Sequence, residues 1–197
     1  MGYSKTKIFN MALNNLGVSS VIQSISLDDP KAILLNNYYE TARDTVLEAH
    51  EWSFATTYKS LANVIEKSLN PNFLYSFNVP ADCVSPRAII EPNTKKEVHY
   101  DVAINETGEQ IILTNINPCI LRYTKRIENE TLFSASFANA LAFYLAYQAA
   151  QVITGSANKK NTNLQDYQLM IRQAIVTDAR KSQKYDQDDE DYTDYRY

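Results

Sequence analysis

The chain has 197 residues, 45% of them hydrophobic, a formal net charge of -4 and a pI near 5.2. That length supports one sizeable core, or a core with a small appended lobe. The charge balance argues against a protein that coats phosphates, because non-specific nucleic-acid binding needs clustered Lys and Arg and the sequence has no dense basic patch.

Residues 1–7 are polar with no apolar run behind them, so no signal peptide is expected. Residues 4–16 predict a first helix. Ser4 caps it, Ile8, Ala12 and Leu16 form a stripe with Met11 beside them, and Gly17 stops it. Asp29-Pro30 opens a second helix, since Asp is a good N-cap and Pro is tolerated at the first helical position. Ala32, Leu35, Tyr39, Ala42 and Val46 carry its apolar face towards His50, and Trp52 and Phe54 follow as an expected lid on the bundle.

From Ala55 to about Arg126 the texture changes to short Thr-, Tyr-, Val- and Ile-rich runs cut by turns. Strands are predicted over 73–79, 84–90, 98–104, 110–114 and 119–125, with Thr107-Gly108 turning a hairpin between the third and fourth. Pro71, Pro80, Pro86, Pro92 and Pro118 favour edges over central strands. The two cysteines, Cys83 and Cys119, lie in or beside these strands, form no Cys-x-x-Cys pair, and are expected as buried free thiols.

A third helix is predicted over 134–154 on the stripe Phe133, Phe137, Leu141, Tyr144, Leu145, Gln148, Val152 and Ile153, ended by Gly155. Asn139, Gln148 and Gln151 interrupt it, so it reads as a buried helix rather than a membrane span. A polar loop over 156–163 then leads to a last helix with Leu164, Tyr167, Ile171, Ala174, Ile175 and Ala179 on its buried face. The expected fold is α+β, mainly α. A bundle of four helices (1–54 and 128–180) carries an inserted antiparallel β lobe (55–127) and an extended C-terminal arm (181–197).

The arm has its own composition. It holds six acids, Asp186, Asp188, Asp189, Glu190, Asp191 and Asp194, and four tyrosines, Tyr185, Tyr192, Tyr195 and Tyr197. Alone, such a segment buries too little apolar area to offset chain entropy, so it is expected to lack structure when free. A solvated tail needs no rings, whereas tyrosine supplies contact area with few rotatable bonds. The expectation is therefore a docking arm laid along a partner.

No constellation for catalysis stands out. His50-Glu51 lacks the second His of a zinc-protease helix because position 54 is Phe. Four glycines leave no phosphate-cradling loop, and no Gly-x-Ser-x-Gly elbow is present. Cys83 with His99 and Asp101 is the one conceivable nucleophile set, and buried-thiol and strand positions explain it better. Glu48 and Glu51 read as a solvated face. No enzyme activity, cofactor or metal is expected.

Four places give the chain a familiar order of motifs. The first is Leu27-Asp28-Asp29-Pro30, followed through Tyr39, Ala42, Arg43 and Leu47 by His50-Glu51-Trp52-Ser53-Phe54-Ala55. The second is Tyr75-Ser76-Phe77-Asn78-Val79-Pro80-Ala81-Asp82-Cys83, and the third is Leu121-Arg122-Tyr123. The fourth runs from Phe137-Ala138-Asn139-Ala140-Leu141 through Leu145-Ala146 to Ile153-Thr154-Gly155-Ser156. In this order they resemble the tail tubular protein A family, the head-to-tail adaptors of short-tailed phages, over roughly residues 7 to 180. Glu51 stands where that family often has Pro, and the third helix lacks its usual Asp-Pro opening.

The resemblance implies a structural virion protein of the tail neck, assembled in the host cytoplasm. Its partners would be further copies of itself in a ring, typically of twelve, the portal above, and a tail or nozzle protein below. Genomic DNA would pass through without specific binding, and no membrane is involved. It places a portal-binding role on the arm, at Tyr185, Asp188, Asp189, Asp191, Tyr192, Tyr195 and Tyr197. Tyr38 and Tyr147 are candidates for the faces between subunits, where Tyr39 and Tyr144 are at least as well explained as core. Tyr100, Asp101, Thr107 and Gly108 are candidates for a tail-facing lobe. The alternatives are another neck component, such as a stopper or tail-completion protein, a small virion-associated cell-wall hydrolase, and a helical scaffold unconnected with a virion.

Overall fold

A computed structural model describes residues 2–19, 21–24, 29–61 and 70–180, with the backbone of residues 181–190. Leu27 and Asp28 of the first motif, and Asp191, Tyr192, Tyr195 and Tyr197 of the arm, lie outside the described residues. The fold is α+β, mainly α, and the chain divides into two compact units. Met1–Phe54 and Ile127–Tyr197 make a helical unit, and Ala55–Arg126 makes a strand unit inserted between its halves.

In the helical unit, α1 (Lys5–Asn15) starts where the Ser4 side chain accepts from the Lys7 amide. It buries Phe9 and Leu13 with Ile8, Ala12 and Leu16, so its inward stripe runs to that side rather than through Met11. Asn10 clamps the following segment, donating to Ile22 O and accepting from Ile22 N at 2.8 Å each. α2 (Pro30–Glu48) starts at Asp29, whose carboxylate accepts from the Lys31 and Ala32 amides, and it buries all five predicted apolar positions.

A short 3-10 turn, Glu130–Leu132, leads to α3 (Ala135–Thr154), capped by Ser134. α3 is the central helix and packs against α1, α2 and α4 (Ala157–Glu190). Its buried surface is mostly alanine: Ala138, Ala140, Ala142, Ala146, Ala149 and Ala150 lie beside Phe137, Leu141 and Leu145. Val152, on the predicted stripe, is 65% exposed. Small side chains let three neighbours approach one axis, which a Leu-sized stripe would prevent.

Gly155 ends α3 with φ at +65°, a conformation that costs glycine little. The predicted loop over 156–163 is helix instead. Ser156 caps α4 by accepting from the Lys159 amide, and nothing between Ala157 and Glu190 is Gly or Pro. The same lack of breakers carries the helix to Glu190, through the first ten residues of the segment predicted as an extended arm.

The strand unit holds two antiparallel sheets. β1 (Thr56–Ser60), β7 (Ile120–Lys125), β3 (Cys83–Ile90) and β4 (Glu97–Val98) lie side by side in the first, in that order. The second has the order β2 (Tyr75–Asn78), β6 (Gln110–Thr114), β5 (Tyr100–Ile104). The single strand predicted over 98–104 is split at His99: Val98 pairs with Ile89 of one sheet and Tyr100 with Thr114 of the other. Phe77, Ile89, Ile112, Cys119, Leu121 and Tyr123 form the core. Gly108, at φ +83°, turns the β5–β6 hairpin, where only a residue tolerant of the left-handed region closes so short a loop.

Candidate interaction surfaces

α3 and α4 form a hairpin of unequal arms. α3 has 20 residues and α4 has 34, so the axes run about 30 Å and about 51 Å. α4 packs along α3 and overruns its first turn. The last buried residue described on α4 is Asp178, and Ala179 and Arg180 are exposed. From Asp178 to Glu190 the helix advances about 18 Å further.

Asp178 fixes the point of departure. Its carboxylate is 2% exposed. It accepts from the Ser53 amide at 2.8 Å and from the Ser53 hydroxyl at 2.7 Å, and His50 Nε2 lies 3.6 Å away. The 50–54 segment is itself held by a ring cluster. Trp52 donates its indole N–H to Val46 O at 2.9 Å and meets Phe137 edge-on at 5.2 Å. Phe54 meets Phe137 at 5.0 Å and Phe133 at 5.9 Å. Trp52 and Phe54 therefore pack into the bundle as its aromatic end. Asp178 was legible only as a lone acid four residues after Ala174 on the apolar face of α4.

Ser53, His50 and Asp178 are the residue types of a hydrolase triad, but their order in space is wrong for one. A triad needs the imidazole between hydroxyl and carboxylate, so that it can take the hydroxyl proton. Here the hydroxyl gives its hydrogen bond to the carboxylate directly. The arrangement anchors a helix. The Cys83, His99 and Asp101 set is dispersed in the same sense. Cys83 pairs with Lys125 in the first sheet, Asp101 pairs with Leu113 in the second, and His99 stacks on Phe73 at 5.7 Å. Burial and then the Asp82 charge push the Cys83 thiol up to about 11, which keeps it protonated at neutral pH. Among the described residues no group of three or more His, Cys, Asp or Glu could hold a metal ion.

Asp82, in the Pro-Ala-Asp-Cys motif, ties the ends of two strands together. Tyr123 donates to it at 3.0 Å and Lys125 Nζ lies at 3.4 Å. Burial works to raise its carboxyl, but the bonds from Tyr123 and Lys125 outweigh burial and hold it below its ordinary value. Burial, then the bond to Asp82, pushes the Tyr123 phenol up to about 12. In the helical unit, the buried Tyr39 phenol donates to Glu130 at 3.0 Å, and burial first, then the Glu130 charge, raise it. Tyr39 is therefore core.

The other predicted positions are placed as follows. Tyr38 on α2 is half-buried. Tyr147 is half-buried against Tyr144 at 5.8 Å, with Lys160 Nζ over its ring at 5.5 Å, and Tyr144 packs on Tyr167 across the α3–α4 hairpin at 4.8 Å. Asp101, Thr107 and Gly108 are exposed on β5 and the β5–β6 hairpin, and Tyr100 leans on the strand core. Tyr185, Asp188 and Asp189 lie on the distal backbone of α4. Among the described residues no helix is long and apolar enough to cross a membrane.

No protein-family model matches the chain, and no curated protein matches it.

Proposed function

We propose that this chain is one subunit of a head-to-tail adaptor ring in a short-tailed phage, docked beneath the portal and receiving a tail or nozzle protein. The observation that carries the reading is the overrun of α4, whose backbone continues about 18 Å past the Asp178 anchor through Tyr185, Asp188 and Asp189 to Glu190. A subunit that must grip a partner needs its grip on a rigid lever, and a helix clamped at Asp178 supplies one. The motif order of the sequence supports the same reading. The terminal segment, from Tyr185 to Tyr197, is then the portal-binding arm, and the exposed β5–β6 hairpin is the tail-facing element. Twelve copies would give many weak arm contacts acting together. The acidic balance suits a channel through which DNA slides without sticking.

The test is co-expression with the portal of the same phage, using the full chain and a chain cut after Arg180, read by mass and negative-stain images. The full chain is expected to form a ring on the portal and the cut chain to leave it bare. A full chain that ignores the portal overturns the proposal.

A further inference from the structure

Among the described residues β5 (Tyr100–Ile104) is an edge strand, with β6 on one side and no strand on the other. Its side chains alternate between the two faces of the sheet. Tyr100 packs on the strand core, while Val102 and Ile104, on the same face, are 41% and 69% exposed. The apolar face therefore continues to the edge and stops there uncovered. The opposite edge, β2, exposes only Asn78. The backbone of β5 is open in the same register. Asn105 N donates to Glu109 O at 2.9 Å, so Asn105, Ala103 and Asp101 are the residues that exchange hydrogen bonds with β6. The amides of Val102 and Ile104 point away from β6. That of Val102 donates instead to the Asp101 carboxylate at 2.8 Å, a bond that guards the edge against indiscriminate pairing. Charge narrows the choice of partner. Residues 97–120 hold Glu97, Asp101, Glu106 and Glu109 and no Lys or Arg. Asp101, Glu106 and Glu109 are exposed on β5 and its hairpin.

From these features we infer that β5 is a strand-addition site for an extended segment of another protein, one with apolar side chains at alternate positions and Lys or Arg between them. The added strand exchanges backbone hydrogen bonds with Val102 and Ile104, taking the Val102 amide over from Asp101. It lays its apolar side chains beside Val102 and Ile104 on one face and sets its cations beside Asp101 on the other, with Glu106 and Glu109 close by in the hairpin. β5 of a second copy is a poor occupant, because it brings Asp101 and the hairpin acids against their own like charges. The source of the strand, a tail-side protein, rests on the adaptor reading proposed above, in which this hairpin faces the tail. The edge itself does not rest on that reading.

The test is amide NMR of the full chain, titrated with a synthetic seven-residue peptide that alternates Val with Lys, at about 50 mM and about 500 mM salt. Saturable binding is expected at low salt, weakened at least tenfold at high salt, and a peptide with Glu in place of Lys should bind at least tenfold more weakly. The signature of strand addition is alternation. Hydrogen exchange should slow at the Val102 and Ile104 amides and change little at Asp101 and Ala103, which already face β6. Val102→Pro removes an outward donor without touching a bond to β6, and Ile104→Lys places a like charge at an exposed position. Each should abolish peptide binding, and thermal melts by circular dichroism check that each variant folds. With the tail-side protein of the same phage, the two variants should bind at least tenfold more weakly than the wild type. No binding at millimolar peptide, protection without alternation, or binding that survives either substitution overturns the inference. A chain that forms its ring on the portal yet fails here refutes the edge alone, whereas one that ignores the portal and takes the peptide refutes the adaptor reading alone.

Discussion

α3 and α4 are joined by two residues and packed along each other, yet they are stabilised in opposite ways. α3 is apolar nearly all round, buried by three neighbours, and made of alanines spaced by a few large rings. α4 is polar over most of its surface, and between Ala157 and Arg180 its fully buried residues are Asn163, Ala174 and Asp178. One helix is held by continuous packing and the other at discrete points, two of them polar. A helix held at points can be long and can present its remaining length to something else, which a packed helix cannot.

The contrast can be broken at both ends. The largest effect is expected from Phe137→Ala, which removes the ring touched by Trp52, Phe54 and Phe133. Urea unfolding should show a loss of about 3–5 kcal/mol, and a loss below about 1 kcal/mol would mean that the cluster does not organise α3. Asp178→Ala should cost about 1–3 kcal/mol, because it removes a buried carboxylate that takes two hydrogen bonds from Ser53. Its signature is local: amide hydrogen exchange should rise along α4 after residue 174 while α3 stays protected. Equal acceleration in both helices would show that α4 is not held at a point. The smallest effect is expected at the surface. Leu169→Ala, measured in dilute solution, should stay within about 0.5 kcal/mol of the wild type, and a larger loss would place Leu169 in the packing of its own chain.

Much of the helical unit was legible in the sequence because its signals are local. Ser4, Asp29 and Gly155 each sit where a cap or stop must sit, and each does that work. What sequence could not reveal depended on partners distant along the chain. β1 (Thr-Thr-Tyr-Lys-Ser) carries no apolar alternation and exists because β7 lies beside it. The first turns of α4 hold Asn158, Asn161, Thr162 and Asn163, residue types that favour caps and turns, and the Ser156 cap with the grip of Lys159 on Leu16 O overrides that preference. On α3 the apolar period is right, but a helix surrounded on three sides has no single stripe, so the large residues misled and the alanines carried the packing. Of the candidate surfaces, the acidic and aromatic character of the tail was legible from composition. The clamp at Asp178 was not, because Ser53 lies 125 positions away.

The insertion of the strand unit bears on the order in which the molecule folds. The helical unit is complete only when Phe54 and Ile127 have been brought back together across about 70 intervening residues, and closing a flexible loop of that length costs on the order of 4 kcal/mol in chain entropy. β1 and β7 are the first and last strands of the insert, and they are zipped in register from Thr56↔Thr124 to Ser60↔Ile120, with Lys125 N donating to Ala55 O at 2.8 Å. Once that pair has formed, the loop is already closed, and the two halves of the helical unit meet as near neighbours. Pairing of β1 with β7 is therefore expected to precede the docking of α1 and α2 on α3.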